Sequence, residues 1–256
     1  MKNPNWSREE LIVAFNLYCK TPFSKIGYGD KGINELSVVI GRSVAAVAMK
    51  LANFARFDPA LQARGIKGLK GGSKGEEPIW KEFNGNWDTL AFESERILAG
   101  YKQAPIEVVT NIETWDLPTE GKTRDAVVKQ RVNQSFFRSM VLASFNNTCC
   151  ITGINNSDLL IASHIVPWSK DLANGVNPHN GLCLNALHDK AFDKSLITIT
   201  PDLKIVVSTR LLDNKNAFSE KYFLPYHNRE IIKPLRFLPS EQFLETHNKE
   251  FQKLNS

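Results

Sequence analysis

Residues 159–166, Leu-Leu-Ile-Ala-Ser-His-Ile-Val, and residues 177–193, Asn-Pro-His-Asn-Gly-Leu-Cys-Leu-Asn-Ala-Leu-His-Asp-Lys-Ala-Phe-Asp, decide how this chain is read. The first is a β-type run with one histidine, His164, near its end. Before it, Cys149-Cys150-Ile151-Thr152-Gly153 reads as another short β-type run, set apart by the turn-forming Asn155-Asn156-Ser157-Asp158. Residues 177–181 read as a loop, and Leu182 to Phe192 as a short helix carrying His188. Beyond it, Leu196 to Ile199 and Lys204 to Val207 pair as a hairpin through Thr200-Pro201-Asp202. Upstream, Val128, Val132, Phe136, Met140 and Ala143 recur at helical spacing and mark one amphipathic helix from Asp125 to Phe145.

Four pieces of this stretch resemble a known family. They are Cys150-Ile151-Thr152-Gly153, Ser163-His164-Ile165-Val166-Pro167-Trp168, Asn180-Gly181-Leu182-Cys183-Leu184, and His188 through Phe192-Asp193. In this order they are similar to the HNH, or ββα-metal, endonucleases, in the branch found in restriction-type enzymes. His164, Asn180 and His188 fall in sequence, separated by 16 and 8 residues, and the resemblance covers Lys129 to Val207. It implies a ββα-metal nuclease domain, a divalent cation and a DNA substrate.

Phosphodiester hydrolysis needs a base for the attacking water, charge neutralisation on the phosphoryl oxygens and stabilisation of the departing oxyanion. His164, at the end of a strand, takes the role of general base. His188 matches the metal-binding histidine of the family. Asn180 matches the middle position, which either ligates the metal through its side-chain oxygen or pins the loop that holds the base. Asp193 is a further candidate ligand, whereas Asp189, one residue past His188, points about 100° away on a helix. Many relatives place Asp, Glu or His immediately before the base, and this chain has Ser163, a poor anchor for a cation. Hard ligands and open positions favour Mg²⁺ or Mn²⁺, while a two-histidine site also accepts Zn²⁺ or Ni²⁺. Trp168 is read as packing over the strand end, and His179, His227 and His247 as ordinary structural histidines.

The N-terminal part carries different signals. Trp6-Ser7-Arg8-Glu9-Glu10-Leu11 reads as a helix start, with Ser7 as N-cap, Glu10 as its capping-box partner and Trp6 stapled to Leu11. Leu11, Phe15 and Tyr18 then lie on one buried face. In residues 33–43 a short helical pattern meets Gly41, Arg42 and a fresh N-cap, Ser43, which reads as a helix-turn-helix; an ordinary corner in a helical bundle has the same local pattern. The second helix is expected from Val44 to Phe54, with Val44, Val47, Leu51 and Phe54 inward and Ala46, Met49, Lys50 and Asn53 outward, a face able to enter a major groove. Arg42, Ser43, Ala46, Met49, Lys50 and Asn53 are therefore the candidate DNA contacts. Lys67, Lys70 and Lys74 join them from a glycine-rich loop that lacks the Gly-Lys-Ser/Thr ending of a nucleotide-binding loop.

Charge is distributed unevenly. Residues 1–75 hold 12 Lys and Arg against 5 Asp and Glu, while residues 76–256 hold 20 against 22, so the net +5 of the chain arises in its N-terminal part. Such asymmetry points to a polyanion, because each basic side chain that meets a phosphate releases counterions; a solvated basic face is the alternative. Helical patterning resumes from Pro78 to Leu98 with a break at Asn84-Gly85. The organisation expected is α+β: a helical DNA-recognition domain with a helix-turn-helix-like element over residues 1–100, a connector over 101–122, and the nuclease domain over 123–256.

With 256 residues, 42% hydrophobic and 23% charged, the composition excludes wholesale disorder and a disulfide-stapled scaffold. The four cysteines include no CxxC pair, which excludes a zinc ribbon and leaves reduced thiols, with Cys150 and Cys183 in the core of the finger. With no run of about 18 apolar residues, a cytoplasmic protein without a membrane partner is expected. The function read from the sequence is a metal-dependent DNA endonuclease of restriction type, acting on double-stranded DNA, sequence-specific or modified-base-dependent. A non-catalytic DNA-binding regulator with a degenerate finger and a homing endonuclease are the rivals. One finger addresses one phosphodiester, so a homodimer is expected to cut both strands.

Overall fold

The computed structural model describes residues 5–66, 75–113, 115, 121–213 and 216–255. By compactness the chain divides into Met1–Ala143 and Ser144–Ser256. No single helix among the described residues is long and apolar enough to cross a membrane.

The first unit is helical. Helix α1 (Arg8–Lys20) starts as a reciprocal capping box: the Ser7 hydroxyl accepts from the Glu10 N–H at 3.2 Å, and the Glu10 carboxylate accepts from the Ser7 N–H at 2.7 Å. Leu11, Phe15 and Tyr18 of α1 are buried, and α1 packs on α3 (Val44–Phe54), α5 (Glu76–Phe83) and α6 (Trp87–Lys102). The Phe15 ring lies 4.9 Å from that of Phe54 and 5.3 Å from that of Trp80, which gives the core an aromatic centre. Helix α2 (Lys31–Val39) and the helical stretch from Val44 to Phe57 meet at 113°, across a turn that Gly41 closes with φ +66°. Short α4 (Pro59–Ala63) and α7 (Ile106–Val109) and the long α8 (Lys122–Ser144) complete the helices; most of α8 groups with this unit, although the sequence places it with the nuclease domain.

The bounds of α3 are those expected, but its outward face is not. Lys50 and Asn53 are 5% and 6% exposed, and both reach the fully buried Glu76 at the start of α5, Lys50 Nζ at 2.5 Å and Asn53 Nδ2 at 3.1 Å. Arg42 is also taken: it donates twice to the Glu10 carboxylate at 2.8 Å and lies over the Trp6 ring. Of these three candidate DNA contacts, Lys50 and Arg42 are structural ion-pair partners and Asn53 is a buried hydrogen-bond donor to the same carboxylate as Lys50. An ammonium and a carboxylate out of water require each other, and helical spacing carries no signal that the required partner arrives from another helix. Burial opposes ionisation of Glu76, but the Lys50 ammonium, a backbone N–H and the Asn53 amide together hold the carboxyl below its usual range. Ser43 is spent on capping α3, its hydroxyl accepting from the Ala46 N–H, while Met49 is exposed. Lys67, Lys70 and Lys74 lie outside the described residues.

The second unit is built on β1 (Leu160–His164) and β2 (Gly181–Asn185), antiparallel, with Leu160 opposite Asn185 and His164 opposite Gly181. Helix α9 (Ala186–Asp193) follows at once and packs on both strands. This differs from the expectation in which 149–153 supplied a strand and the helix began at Leu182. Residues 149–153 close on themselves, the Cys149 N–H donating to the Ile154 carbonyl at 2.7 Å and the Gly153 N–H to the Cys149 carbonyl at 3.0 Å, with Gly153 at φ +76°. Gly181–Asn185 is buried at every position, so it lacks the alternation by which a strand is recognised, and its Leu-Cys-Leu run merged with the helical pattern beyond. Asn185 marks the real start of α9, its side chain accepting from the His188 N–H.

The hairpin β3 (Ile197–Ile199) and β4 (Ile205–Val207) stands as expected. Helices α10 (Thr209–Leu212), α11 (Ala217–Tyr222) and α12 (Glu241–Asn255) follow. Helix α12 packs on β3 through His247, which is 8% exposed and stacked on Phe192 with ring centroids 3.7 Å apart. Burial pushes the His247 proton affinity down, as does Lys170; the Phe192 carbonyl, Glu250 and Asp193 act the other way without cancelling it. The unfolded ring takes its proton near pH 6.5 and the folded ring resists it. Stability conferred above that pH should therefore be lost as pH falls towards the folded value, by up to about 1.4 kcal/mol per pH unit. Urea unfolding at pH 7.5 and 5.5 measures this slope, and His247→Phe should flatten it; an equal slope in the variant would refute the assignment.

Candidate active site

His164 ends β1, and its Nε2 lies 2.9 Å from the carbonyl oxygen of Gly175 in the loop that leads to β2. Burial lowers its proton affinity, while the Gly175 carbonyl and the negative charge of Asp193 pull back towards the ordinary value; the net shift is down. A ring kept neutral near pH 7 that donates from Nε2 carries its lone pair on Nδ1.

Asn180 is fully buried, and every hydrogen bond of its carboxamide goes to backbone. Oδ1 accepts from the Val166 N–H at 2.8 Å, and Nδ2 donates to the Val166 carbonyl at 3.0 Å and to the Asn174 carbonyl at 3.4 Å. The Asn180 N–H belongs to the turn from Asn177, and its own carbonyl accepts from the Ile165 N–H at 2.9 Å. This is the geometry of loop pinning: the residue staples the backbone just past His164 to the start of β2. Its oxygen is aimed at Val166 and away from solvent, so the alternative of metal ligation through Oδ1 is not what this geometry describes.

His188 is 2% exposed. Its Nδ1 meets Asn185 Oδ1 at 3.0 Å and its Nε2 the Tyr222 carbonyl at 3.0 Å, between the rings of Phe223 and Tyr226. Both nitrogens lie against acceptor oxygens, one in the first turn of α9 and one at the end of α11, and a neutral ring donates to only one of them. Burial pushes its proton affinity down.

The carboxylates near the base come from the next face of the same helix. Asp189 and Asp193 stand four residues apart on α9 and so share one face, adjacent turns apart. Burial raises the Asp189 carboxyl above its usual range and the charge of Asp193 adds to this; the neighbouring Ser163 hydroxyl and Lys190 oppose it. Ser163 is 3% exposed, and its hydroxyl is without a hydrogen bond of ordinary geometry. Asp189 is the residue that the sequence reading turned away, because its direction was measured from His188. With His188 facing α11, a rotation of about 100° brings position 189 round to β1. The i, i+4 spacing of the two aspartates was the signal that could have found it.

Residues 149–200 match the family model described as HNH endonuclease. This segment belongs to the HNH endonuclease family. The match spans the turn at Gly153, β1, the turn that ends at Asn180, β2, α9 and β3, and so includes His164, Asn180, His188, Asp189 and Asp193. No curated protein matches the chain.

The fit of a divalent cation to these HNH residues can be tested on the side chains present. Among the described residues no three His, Cys, Asp or Glu side chains gather as a ready-made metal cage. A pair of carboxylates of which one disfavours ionisation of the other is nevertheless a donor set that a hard dication relieves, with water and phosphate oxygens completing its shell. The residues fit an open site for an oxygen-preferring cation better than they fit zinc.

Proposed function

We propose that the chain is a DNA endonuclease of restriction type, with His164 as general base. The observation that carries this reading is the His164 to Gly175 hydrogen bond at the end of β1, beside the charge of Asp193. His164 Nδ1 takes a proton from water, the hydroxide oxygen attacks phosphorus, and the P–O bond to the departing sugar oxygen breaks, that oxygen collecting a proton from solvent. Asn180 holds the backbone on which the base stands. Asp189 and Asp193 would hold Mg²⁺ or Mn²⁺, which when bound neutralises phosphoryl charge and steadies the leaving oxygen. A two-fold pair of chains on duplex DNA would bring one such site to each strand, because the dyad relating the protomers also relates the strands.

Purified protein incubated with methylated and unmethylated supercoiled plasmid tests this, in Mg²⁺, in Mn²⁺ and in chelator. Open-circular and then linear product should appear with metal and vanish with chelator. Asp193→Asn should raise the Mg²⁺ concentration for half-maximal cutting by about tenfold or more. Full activity in chelator defeats the metal assignment; product that stops at open circles defeats the dimer; intact plasmid under every condition defeats the nuclease reading and favours a binding-only regulator.

A further inference from the structure

The group that orients the His164 ring is supplied from Gly175, whose backbone is ordinary, with φ −63° and ψ −24°. Conformation therefore does not demand glycine there. Space does. A Cβ at Gly175 would lie 2.4 Å from Cε2 and Nε1 of the Trp168 indole and 2.6 Å from Cδ1, where carbon contacts ordinarily sit at about 3.5–4.0 Å. The same indole lies 6.0 Å from the His164 ring, centroid to centroid, tilted by 47°. Trp168 thus touches the residue that accepts the hydrogen bond and neighbours the one that donates it.

The rest of the loop is tied one residue earlier. Asp171 caps the turn from Leu172 to Asn174 and bonds the Asn174 side chain at 2.8 Å, while Asn180 holds the Asn174 carbonyl. The Asn177 N–H, donating to the Asn174 carbonyl at 3.2 Å, closes a turn around Gly175, and the Trp168 indole packs against the residue inside that turn.

We infer that Trp168 is a positioning residue: wedged against Gly175, its indole holds that carbonyl on His164 Nε2, which keeps the proton on Nε2 and the lone pair on Nδ1. The tautomer of a neutral imidazole follows the hydrogen bonds its nitrogens make, so a carbonyl that swings away weakens the preference for the proton on Nε2. This inference rests on His164 being the general base, and its test separates the two.

The full chain labelled with ¹⁵N reports the His164 tautomer at pH 8, and plasmid cutting reports kcat and KM. The wild type should show the Nε2–H tautomer. Trp168→Ala should populate Nδ1–H and lower kcat on the order of 10²-fold, the scale of a misplaced catalytic group, with KM little changed. Trp168→Phe, which keeps a ring against Gly175, should restore the tautomer and most of kcat. Gly175→Ala should resemble Trp168→Ala, and the double variant should be no worse than either single one, because removing the indole removes the clash. A wild-type tautomer and kcat in Trp168→Ala overturn the inference. If that variant fails to fold, a wild-type tautomer in Gly175→Ala overturns it equally. A tautomer shift in Trp168→Ala together with a wild type that cuts no plasmid upholds the positioning and overturns the nuclease reading.

Discussion

His164→Ala should lower the rate of DNA cleavage by about 10²–10⁴-fold, the usual worth of a positioned general base, while leaving the affinity for DNA near that of the wild type. The side chain acts on water and not on the phosphate backbone, so its removal costs transition-state stabilisation and little ground-state binding. It is also partly exposed at the end of a strand, where a truncated side chain opens no core cavity, so the fold should tolerate the change. Single-turnover cutting of plasmid, with binding followed separately in chelator, distinguishes the two effects. A variant that cuts at the wild-type rate would remove His164 from the chemistry, and one that loses binding and cutting together would make it a substrate contact.

The second large effect concerns stability. Lys50→Met should cost about 3 kcal/mol, because it leaves the Glu76 carboxylate, fully buried, without its closest cation. That lies at the low end for a broken buried pair, since Arg56 remains 3.6 Å from the carboxylate and Asn53 still donates to it. Replacing both partners, Lys50→Met with Glu76→Leu, should recover most of the loss, as apolar pairs of similar volume commonly do in such positions. Urea unfolding of the two variants and the wild type gives the comparison. A negligible stability change accompanied by weaker DNA binding would return Lys50 to the DNA-facing role that its helical position suggested.

What the sequence by itself determined is whatever depends on neighbours along the chain. The capping box of Ser7 and Glu10, the limits of α3 at Val44 and Phe54 and the β3–β4 hairpin follow from caps, turns and periodicity within a few residues. The family resemblance of residues 149–200 was legible for a related reason: His164, Asn180 and His188 fall in order within short apolar contexts. The tertiary structure decided which partner each polar group meets and which way each face turns. Lys50 looked like a solvent-facing cation on α3 until Glu76, 26 residues away, was folded against it. Residues 182–185 looked helical because burial on both faces erased the alternation that marks a strand. The rotation of α9 was not legible either: His188 Nε2 meets the Tyr222 carbonyl at the end of α11, 34 residues away, and Asp189 comes round beside Ser163 of β1. Periodicity gives the angle between two side chains on a helix; only packing against other elements sets the zero from which that angle is measured.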